Sequence, residues 1–464
     1  MMMGAREVSL KRPSLFSTRK LFLMASVLFA FLFPCLAWKQ AAACAILLLL
    51  LITLILPWLD VDMSKGAAIA EGIAPSRRFD DRMGVTYYSL AVLALIVLYR
   101  HHLHVAAAAW AIMAIGDDMA TVIGERARGP ALPWNRRKTC AGSASFAVAG
   151  TVGAYVLTRW IAPEIPANKA LMVCAAASLA GAVVEGLPIR LDDNITVPLV
   201  TGAFFFCALM MERSALDSNL PYLGRRVFLA LAVNLGFAVL AWALEAASRS
   251  GAVCGFLLGT AIYLGYGYKS FLLLFTFVLL GSVATRVGLS KKAARGVAEE
   301  QRGARSWRKA LANLLVAAFF AVMVITTHHE AACLIALMAA LSEAAGDTVS
   351  SEIGQWVSDR AHLITTLKPV AAGENGGISF VGTAAGLAAS AAIMGLGVAL
   401  GLCGPYRFAG PAIVLGAALA GNLFDSLLGA TIESRGLVTN GIVNFAGTSF
   451  AGALALGLAL RLGL

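Results

Sequence analysis

Long apolar stretches alternate with short polar segments along almost the whole chain. About fifteen stretches can be assigned, from residues 21–37 to residues 440–462. Several, among them 103–116 and 331–342, are shorter than the roughly 20 residues that a membrane-spanning helix needs. The stretches are continuous and lack the two-residue alternation of barrel strands. Because helices satisfy their own backbone hydrogen bonds in lipid, the pattern predicts an all-α, polytopic transmembrane protein of about 13–15 spans.

Composition supports this interpretation. The 464 residues are 59% hydrophobic and only 14% charged, which excludes an ordinary soluble domain because the polar residues could not cover its surface. The N-terminal region has a basic arm and an apolar segment but no small-x-small cleavage site, so it is expected to be an uncleaved first span. The eight cysteines are scattered without a C-x-x-C pair and indicate neither disulfides nor zinc.

The net charge of +11 is concentrated in a few polar segments. Basic residues cluster in the N-terminal arm, in the loops at residues 60–84 and 288–309, and directly after residue 125. With the assigned spans, all of these fall on one side of the membrane. The positive-inside rule makes that side cytoplasmic, so we expect a plasma (inner) membrane protein whose polar motifs face the cytoplasm.

One of these motifs occurs twice, as G-D-x-x-(A/S)-x-x-x-G followed by a lysine, and we call it the GD motif. The first copy contains Gly116, Asp117, Ala120, Gly124 and Lys138, and the second contains Gly346, Asp347, Ser350, Gly354 and Lys368. The aspartate and the lysine are separated by the same distance in both copies. The repeat predicts two related phosphate-handling sites in two modules, residues 1–248 and 249–464.

In the first module, carboxylates recur near the predicted span ends, at Asp117, Glu185 and Asp193. Acids in such positions are costly unless they bind a cation or pair with a base. Arg137 and Lys138 lie in the loop between them. Carboxylates that hold a hard cation, together with bases that neutralise phosphate, predict a site for Mg²⁺ and a nucleotide, with the three acids as metal ligands.

The blocks GDDMATVIGERARG, RRKTCAGSASF and VVEGLPIRLDDNITVPL resemble the dolichol kinase and phytol kinase family, which phosphorylates polyprenyl alcohols from CTP. Where that family commonly has a glutamate, this chain has Ala141. The resemblance implies a CTP-dependent prenyl alcohol kinase in which Asp117, Lys138 and Asp193 are catalytic. The predicted nucleotide-binding residues of this module are Gly116, Gly124, Arg137, Gly142, Ser143 and Asn194.

The second module carries its own acids and a glycine-rich turn. Its carboxylates are Glu343, Asp347, Glu352 and Asp425, which we predict as metal ligands. Asp425 lies among Leu, Phe and Gly, where an unpaired carboxylate would cost several kcal/mol. The turn GENGGISFVGT could form a loop that binds an anion through its backbone.

The blocks GSVATRVGLSKK, RSWRKALAN, SEAAGDTVSSEIG, DSLLGATIE and TNGIVNF resemble a membrane family of unknown function whose plant member is phytyl-phosphate kinase. The resemblance implies a prenyl-phosphate kinase in which Asp347, Lys368 and Asp425 are catalytic. The predicted nucleotide-binding residues of this module are Arg302, Asn313, Gly354, Asn375, Gly376, Gly377, Asn422 and Asn444.

Together the two resemblances imply a fused isoprenoid kinase that converts a prenyl alcohol to its monophosphate and then to its diphosphate. Its partners would be the prenyl lipid, membrane lipid and a nucleoside triphosphate, CTP first, with Mg²⁺; no nucleic-acid-binding module is evident. Two alternatives remain open. The same residue types could serve a cytidylyltransferase that makes a CDP-lipid, or a transporter built from two repeats whose acids bind coupling ions.

Overall fold

The computed structural model describes residues 24–50, 75–127, 129–296 and 305–464. Within these residues, eleven helices are long and apolar enough to cross a membrane, and three shorter apolar helices lie at Met24–Cys35, Trp38–Leu50 and Thr86–Leu98. The prediction of an all-α polytopic membrane protein is confirmed. Contacts divide the chain into two compact units, Met1–Leu209 and Met210–Leu464.

The first unit contains four helices of spanning length after a region of shorter apolar helices. Its described helices are α1 (Trp38–Leu50), α2 (Pro75–Leu98), α3 (Leu103–Arg126), α4 (Cys140–Ile161), α5 (Ala167–Gly186) and α6 (Asp193–Met210), which follow a 3₁₀ helix at Val27–Cys35. The centre of the unit is α3, in which every residue from Val105 to Ala111 is buried. Most of these residues are alanines, whose small side chains let neighbouring helices approach closely.

The second unit is larger and is built around one long buried helix. Its described helices are α7 (Arg213–Ala243), α8 (Arg249–Tyr266), α9 (Tyr268–Arg286), α10 (Leu289–Ala294), α11 (Trp307–Thr326), α12 (Glu330–Val357), α13 (Phe380–Ala399), α14 (Ala409–Leu428) and α15 (Asn440–Arg461). Every residue of α12 from Ala332 to Gly346 is buried. Apart from Ser342 and Glu343, this segment is apolar on all sides, as expected for a helix surrounded by others.

The boundary between the units precedes the predicted module boundary near residue 248, because α7 packs within the second unit. Asn234 of α7 is buried and fills the space left by the missing side chain of Gly259 on α8. The amide of Asn234 donates a hydrogen bond back to the Ala230 carbonyl at 2.8 Å. Its polar group is therefore satisfied inside an apolar interface.

The first glycine and the aspartate of both GD motifs lie inside helices, and Gly124 and Gly354 lie in the last turns of these helices. The predicted spans end at residues 116 and 342, whereas α3 continues to Arg126 and α12 continues to Val357. In α3 a π-helical turn at Ile112–Gly116 comes directly before Asp117. Such turns are rare and frequently occur at functional sites.

Short β-structure, which the sequence did not predict, follows each GD helix. After α3, strand β1 (Ala131–Leu132) pairs antiparallel with β2 (Asn135–Thr139). After α12, strands β3 (Arg360–Leu363), β4 (Pro369–Ala371) and β5 (Gly377–Ile378) form an antiparallel sheet in the order β4-β3-β5. Each β-structure leads directly into the next spanning helix.

Candidate functional site

Three acids and a lysine meet in the first unit. One carboxylate oxygen from each of Asp117, Glu185 and Asp193 lies within 4.8 Å of the others. The Lys138 ammonium donates hydrogen bonds to Glu185 and, at 3.3 Å, to Asp193 Oδ2. The structure thus brings together four residues that are widely separated in sequence and that come from α3, β2, α5 and α6. We call this group the acid–lysine cluster.

The β1–β2 hairpin positions the lysine of this cluster. Trp134 Nε1 and Asn135 Nδ2 donate hydrogen bonds to the Gly186 carbonyl at 3.1 and 3.2 Å. Gly186 ends α5 and directly follows Glu185, so the hairpin is fixed to the helix end that carries this acid. Trp134 and Asn135 were not among the predicted site residues. Their polar hydrogen-bonding groups in a loop otherwise dominated by basic residues were the available signal.

Burial and charge define the electrostatics of the acid–lysine cluster. Glu185 is only 3% exposed, and its second oxygen, Oε2, is buried without a hydrogen-bond partner. Burial alone would lower the pKa of Lys138, but the hydrogen bond to Glu185 and the negative charges of Asp193, Glu185 and Asp117 outweigh it and raise that pKa. Lys138 is therefore a stable cation at neutral pH. The unpartnered oxygen and the all-oxygen donor set fit a bound Mg²⁺.

Other predicted residues of the first unit support helix packing and capping. Gly116 lies against the Phe146 ring, and Gly124 packs against Gly142. Ser143 Oγ is buried and has no hydrogen-bond partner among the described residues. Asn194 donates from both its backbone and its side chain to Asp192, at 2.9 and 2.7 Å, in a turn that starts α6.

Arg137 is exposed, although it is adjacent to Lys138. Its backbone amide donates a hydrogen bond to the Asn135 side chain at 3.2 Å. A nucleotide-binding role for the Arg137 side chain stays a prediction.

The second unit contains a polar cavity of about 410 Å³. Among the residues that line it are the predicted site residues Asn313, Asp347, Glu352, Gly354, Asn375, Gly376, Gly377, Asn422, Asp425 and Asn444. Asn444 connects two helices across it, because its Nδ2 lies 3.3 Å from both Asn313 Oδ1 and Asp347 Oδ2. The structure thus brings most of the second predicted site together.

The glycine-rich turn forms one wall of this cavity. Gly373 and Gly376 have φ values of +90° and +75°, a backbone conformation that residues other than glycine rarely adopt. Gly376 packs against the π-helical turn at Gly429–Glu433, which continues α14 beyond Asp425. A side chain at position 376 would collide with Ala430. The turn is therefore held close to the end of the helix that carries Asp425.

Glu352 has a different environment from the one expected for a metal ligand. Its Oε2 accepts a hydrogen bond from Lys292 Nζ at 2.5 Å, and its Oε1 accepts one from Thr285 Oγ1 at 3.0 Å. Lys292 is 1% exposed and also donates to two backbone carbonyls. Both Glu352 oxygens are thus engaged by protein groups, and its role as a metal ligand stays a prediction.

Lys292 was not predicted as a site residue, because the basic segment that contains it was interpreted as a signal of membrane topology. Two more cavity-lining bases, Arg305 and Lys309, follow the same basic segment. Their positions close to the start of a spanning helix were the available signal. Arg302, which was predicted to bind nucleotide, lies outside the described residues.

The packing around Gly124 recurs in the second unit. A Cβ atom added to Gly124 would lie 3.5 Å from Gly142 Cα, and one added to Gly354 would lie 3.6 Å from Gly382 Cα. In both units the glycine of the GD helix therefore contacts a glycine in the first turn of the next helix.

The start of that next helix is also the same in both units. Thr139 Oγ1 accepts a hydrogen bond from the Gly142 amide at 3.1 Å, and Ser379 Oγ accepts one from the Gly382 amide at 3.1 Å. Thr139 caps α4 and Ser379 caps α13. The residues that directly precede Thr139 and Ser379 therefore occupy equivalent positions. The structural counterpart of Lys138 is thus Ile378.

Lys368 consequently does not match Lys138, although both follow their aspartates at the same sequence distance. Lys368 is exposed in the turn between β3 and β4 and is not among the residues that line the cavity. The second unit has longer β-structure between its GD helix and the next helix. The lysine found by counting from Asp347 is therefore Lys368, whereas the residue in the structural position of Lys138 is Ile378. A catalytic role for Lys368 stays a prediction without support from the geometry.

Comparison with known proteins identifies the family. The family described as integral membrane protein DUF92 matches residues 232–458. An uncharacterized membrane protein of Methanocaldococcus jannaschii is 32% identical over 234 residues, which cover 50% of this chain and 93% of that relative. The chain belongs to the DUF92 family.

Two plant proteins are also similar to this chain, and the name of one of them includes an activity. Protein VTE6, chloroplastic, of Arabidopsis thaliana is 33% identical over 216 residues, covering 45% of this chain and 64% of that protein. A probable chloroplastic phytol kinase of Glycine max is 29% identical over 140 residues, covering 29% of this chain and 48% of that protein. The chain thus spans about half of the phytol kinase. No solved structure matches the chain.

Proposed function

We propose that this DUF92 protein is an integral membrane phosphotransferase that phosphorylates a prenyl alcohol and then the resulting monophosphate, with CTP as the first candidate donor. The observation that carries the proposal is the acid–lysine cluster, in which three carboxylates and a lysine meet. These are the charged groups that a site for a metal-bound nucleoside triphosphate needs. The similarity to a protein named as a probable phytol kinase supports a prenyl alcohol as acceptor.

In the first unit, Asp117, Glu185 and Asp193 would hold Mg²⁺. When bound, the ion supplies neutralisation of the phosphate charge. Lys138 is positioned to attract the oxygens of the transferred phosphoryl group, since the three acids keep it protonated. The Asp193 side chain is 36% exposed. It would take the proton of the acceptor hydroxyl as the hydroxyl oxygen bonds to the γ-phosphorus and CDP leaves.

In the second unit, the cavity around Asp347 would take a prenyl monophosphate and a second nucleotide. Asp347 and Asp425 line the cavity from two different helices. Arg305 and Lys309 line the same cavity and supply positive charge for phosphate groups. The glycine-rich turn from Gly373 to Gly377 offers a close backbone approach to an anion. The prenyl tail would remain in lipid while its phosphate enters the cavity.

The charge distribution along the sequence supports an orientation. By the positive-inside rule the basic segments favour a position of both sites on the cytoplasmic face of a plasma (inner) membrane, where nucleotides would be available. Two consecutive reactions in one chain would also limit escape of the monophosphate from the membrane.

The proposal is tested by reconstituting the full chain in liposomes with farnesol, geranylgeraniol or phytol and γ-labelled CTP or ATP. We expect label first in the monophosphate and then in the diphosphate. Asp117→Asn should abolish both products, whereas Asp347→Asn should accumulate the monophosphate. The Asp217→Asn variant, which changes an exposed acid of α7, is the matched control and should behave as the natural chain does.

The alternatives give different products when the assay is run with α-labelled as well as γ-labelled CTP. A cytidylyltransferase would transfer label from α-labelled CTP into a CDP-lipid and leave the γ-label in pyrophosphate. A transporter would label neither lipid product. Either result would exclude the kinase function.

A further inference from the structure

Glu343 of α12 is a buried acid that has no protein partner within residues 24–50, 75–127, 129–296 and 305–464. It is 1% exposed, and neither of its carboxylate oxygens has a hydrogen-bond partner. Burial of an isolated ionised carboxylate in an apolar interior costs far more free energy than the total folding stability of a typical protein. The side chain must therefore be neutralised, either by a proton or by a cation that the protein binds.

The surroundings of Glu343 leave space for its carboxylate next to a second acid. A Cβ atom added to Gly447 of α15 would lie 2.5 Å from Glu343 Oε1 and 3.3 Å from Asp425 Cβ. A Cβ atom added to Gly421 of α14 would lie 2.7 Å from Glu343 Cγ. Two glycines on two helices thus make room for one glutamate, and Asp425 approaches the same glycine, Gly447.

Other oxygens at this place also lack partners. Asp425 is 9% exposed, and its Oδ2 has no hydrogen-bond partner. Asn444 lies one helical turn before Gly447, and its Oδ1 is buried without a partner as well. Glu343, Asp425 and Asn444 therefore present unsatisfied oxygens from three helices, which is the donor type that hard divalent cations prefer.

Comparison of the two units shows where their charges differ. Met113 and Glu343 both lie four residues before the aspartate of their GD motifs, so the first unit has an apolar residue where the second has an acid. Conversely, the first unit has Lys138 where the second has Ile378. The second unit thus has a carboxylate that the first unit lacks, and it lacks the ammonium that neutralises the acids of the first unit.

We propose that the second unit binds a divalent cation between Glu343 and Asp425, with Asn444 Oδ1 as a further ligand, and that this ion takes the electrostatic place of Lys138. The inference rests on unsatisfied buried oxygens and on the absence of a lysine at position 378, not on the kinase reaction. Lys292 cannot serve instead, because it is bound to Glu352.

The test is a Mn²⁺ titration of the full chain in nanodiscs, with free Mn²⁺ measured by electron paramagnetic resonance and without nucleotide or prenyl lipid. We expect Glu343→Gln and Asp425→Asn each to bind one Mn²⁺ fewer per chain than the natural protein, or to bind it at least tenfold more weakly. Asp217→Asn is the control and should bind as the natural protein does. Asp117→Asn should lose a different Mn²⁺, so that its loss adds to that of Glu343→Gln.

Thermal melting supplies a second measurement on the same samples. Mn²⁺ should raise the melting temperature of the natural protein, and the part of this rise due to the second unit should disappear in Glu343→Gln and Asp425→Asn. Without metal, Glu343→Gln should melt at the same or a higher temperature, since glutamine needs no proton or cation to be neutral. Unchanged Mn²⁺ stoichiometry, affinity and melting response in these two variants would show that Glu343 is neutralised by a proton and would overturn the proposal. An inactive kinase would leave all these readings unaffected.

Discussion

Lys138 and Ile378 occupy the same position in the two units, directly before the residue whose side-chain oxygen caps the next helix. In the first unit the position supplies an ammonium that contacts Glu185 and Asp193. In the second it supplies an apolar side chain that lines the cavity. The two sites therefore share a backbone frame but neutralise their acids by different means.

Substitution of the two motif lysines should have unequal effects. Lys138→Met removes the ammonium next to three carboxylates, so we expect formation of the prenyl monophosphate to fall by about 10²–10³-fold. Lys368→Met changes an exposed turn residue and should leave conversion of the monophosphate to the diphosphate within about twofold of the natural rate. Rates with each lipid substrate measure both effects. Equal losses in the two variants would contradict the assignment of Ile378 as the counterpart of Lys138.

The stabilising effect of Lys138 should not depend on pH near neutrality. Its pKa is raised in the folded protein, so its contribution is fully present below the ordinary lysine value of about 10.4 and is lost as pH rises through the folded-state pKa. We expect Lys138→Met to destabilise the protein by roughly 1–3 kcal/mol, because Glu185 is left buried without its partner. The difference in melting temperature between the variant and the natural chain should be constant from pH 7 to pH 9. A difference that shrinks within this range would show that Lys138 titrates there.

The glycine contact that fixes the start of α13 can be tested within a single helix. A Cβ atom at Gly382 would lie 2.7 Å from the Ser350 carbonyl oxygen and 3.2 Å from Gly354 Cα, whereas nothing lies within 4 Å of one at Gly395. Gly382→Ala should therefore destabilise the protein by about 1–3 kcal/mol. Gly395→Ala should be neutral or stabilise it by up to about 1 kcal/mol, because alanine favours helix. Melting temperatures in detergent compare the two, and similar values would argue against the close contact.

The buried pair Lys292–Glu352 should behave as a coupled unit. Lys292→Met alone leaves Glu352 without its cation and is expected to cost about 3–5 kcal/mol. The double variant Lys292→Met/Glu352→Met removes both charges and should recover most of this loss. A double-mutant cycle on the free energy of unfolding measures the coupling. Simple additivity of the two single substitutions would show that the pair is not energetically coupled.

The sequence predicted the membrane-helical fold and the polar residues that gather in each unit. Asp117, Lys138, Glu185 and Asp193 were each identified as site residues, and the structure places them together. The helix ends were less predictable, since α12 continues beyond the predicted end at residue 342. Asp347 is carried within that helix because the surrounding helices provide polar partners such as Asn444.

What the sequence alone determined is the arrangement of apolar helices, because in lipid each helix forms its backbone hydrogen bonds within its own segment, and that property is local. Which charged side chains come into contact is not determined by the local sequence. Equal spacing made Lys138 and Lys368 look equivalent, but the second unit inserts more chain between its GD helix and the capping residue Ser379. Only the tertiary structure decides that Lys138 reaches two acids and that Lys368 remains exposed. It also decides that Glu343 has no basic partner in the part of the chain that the structure describes.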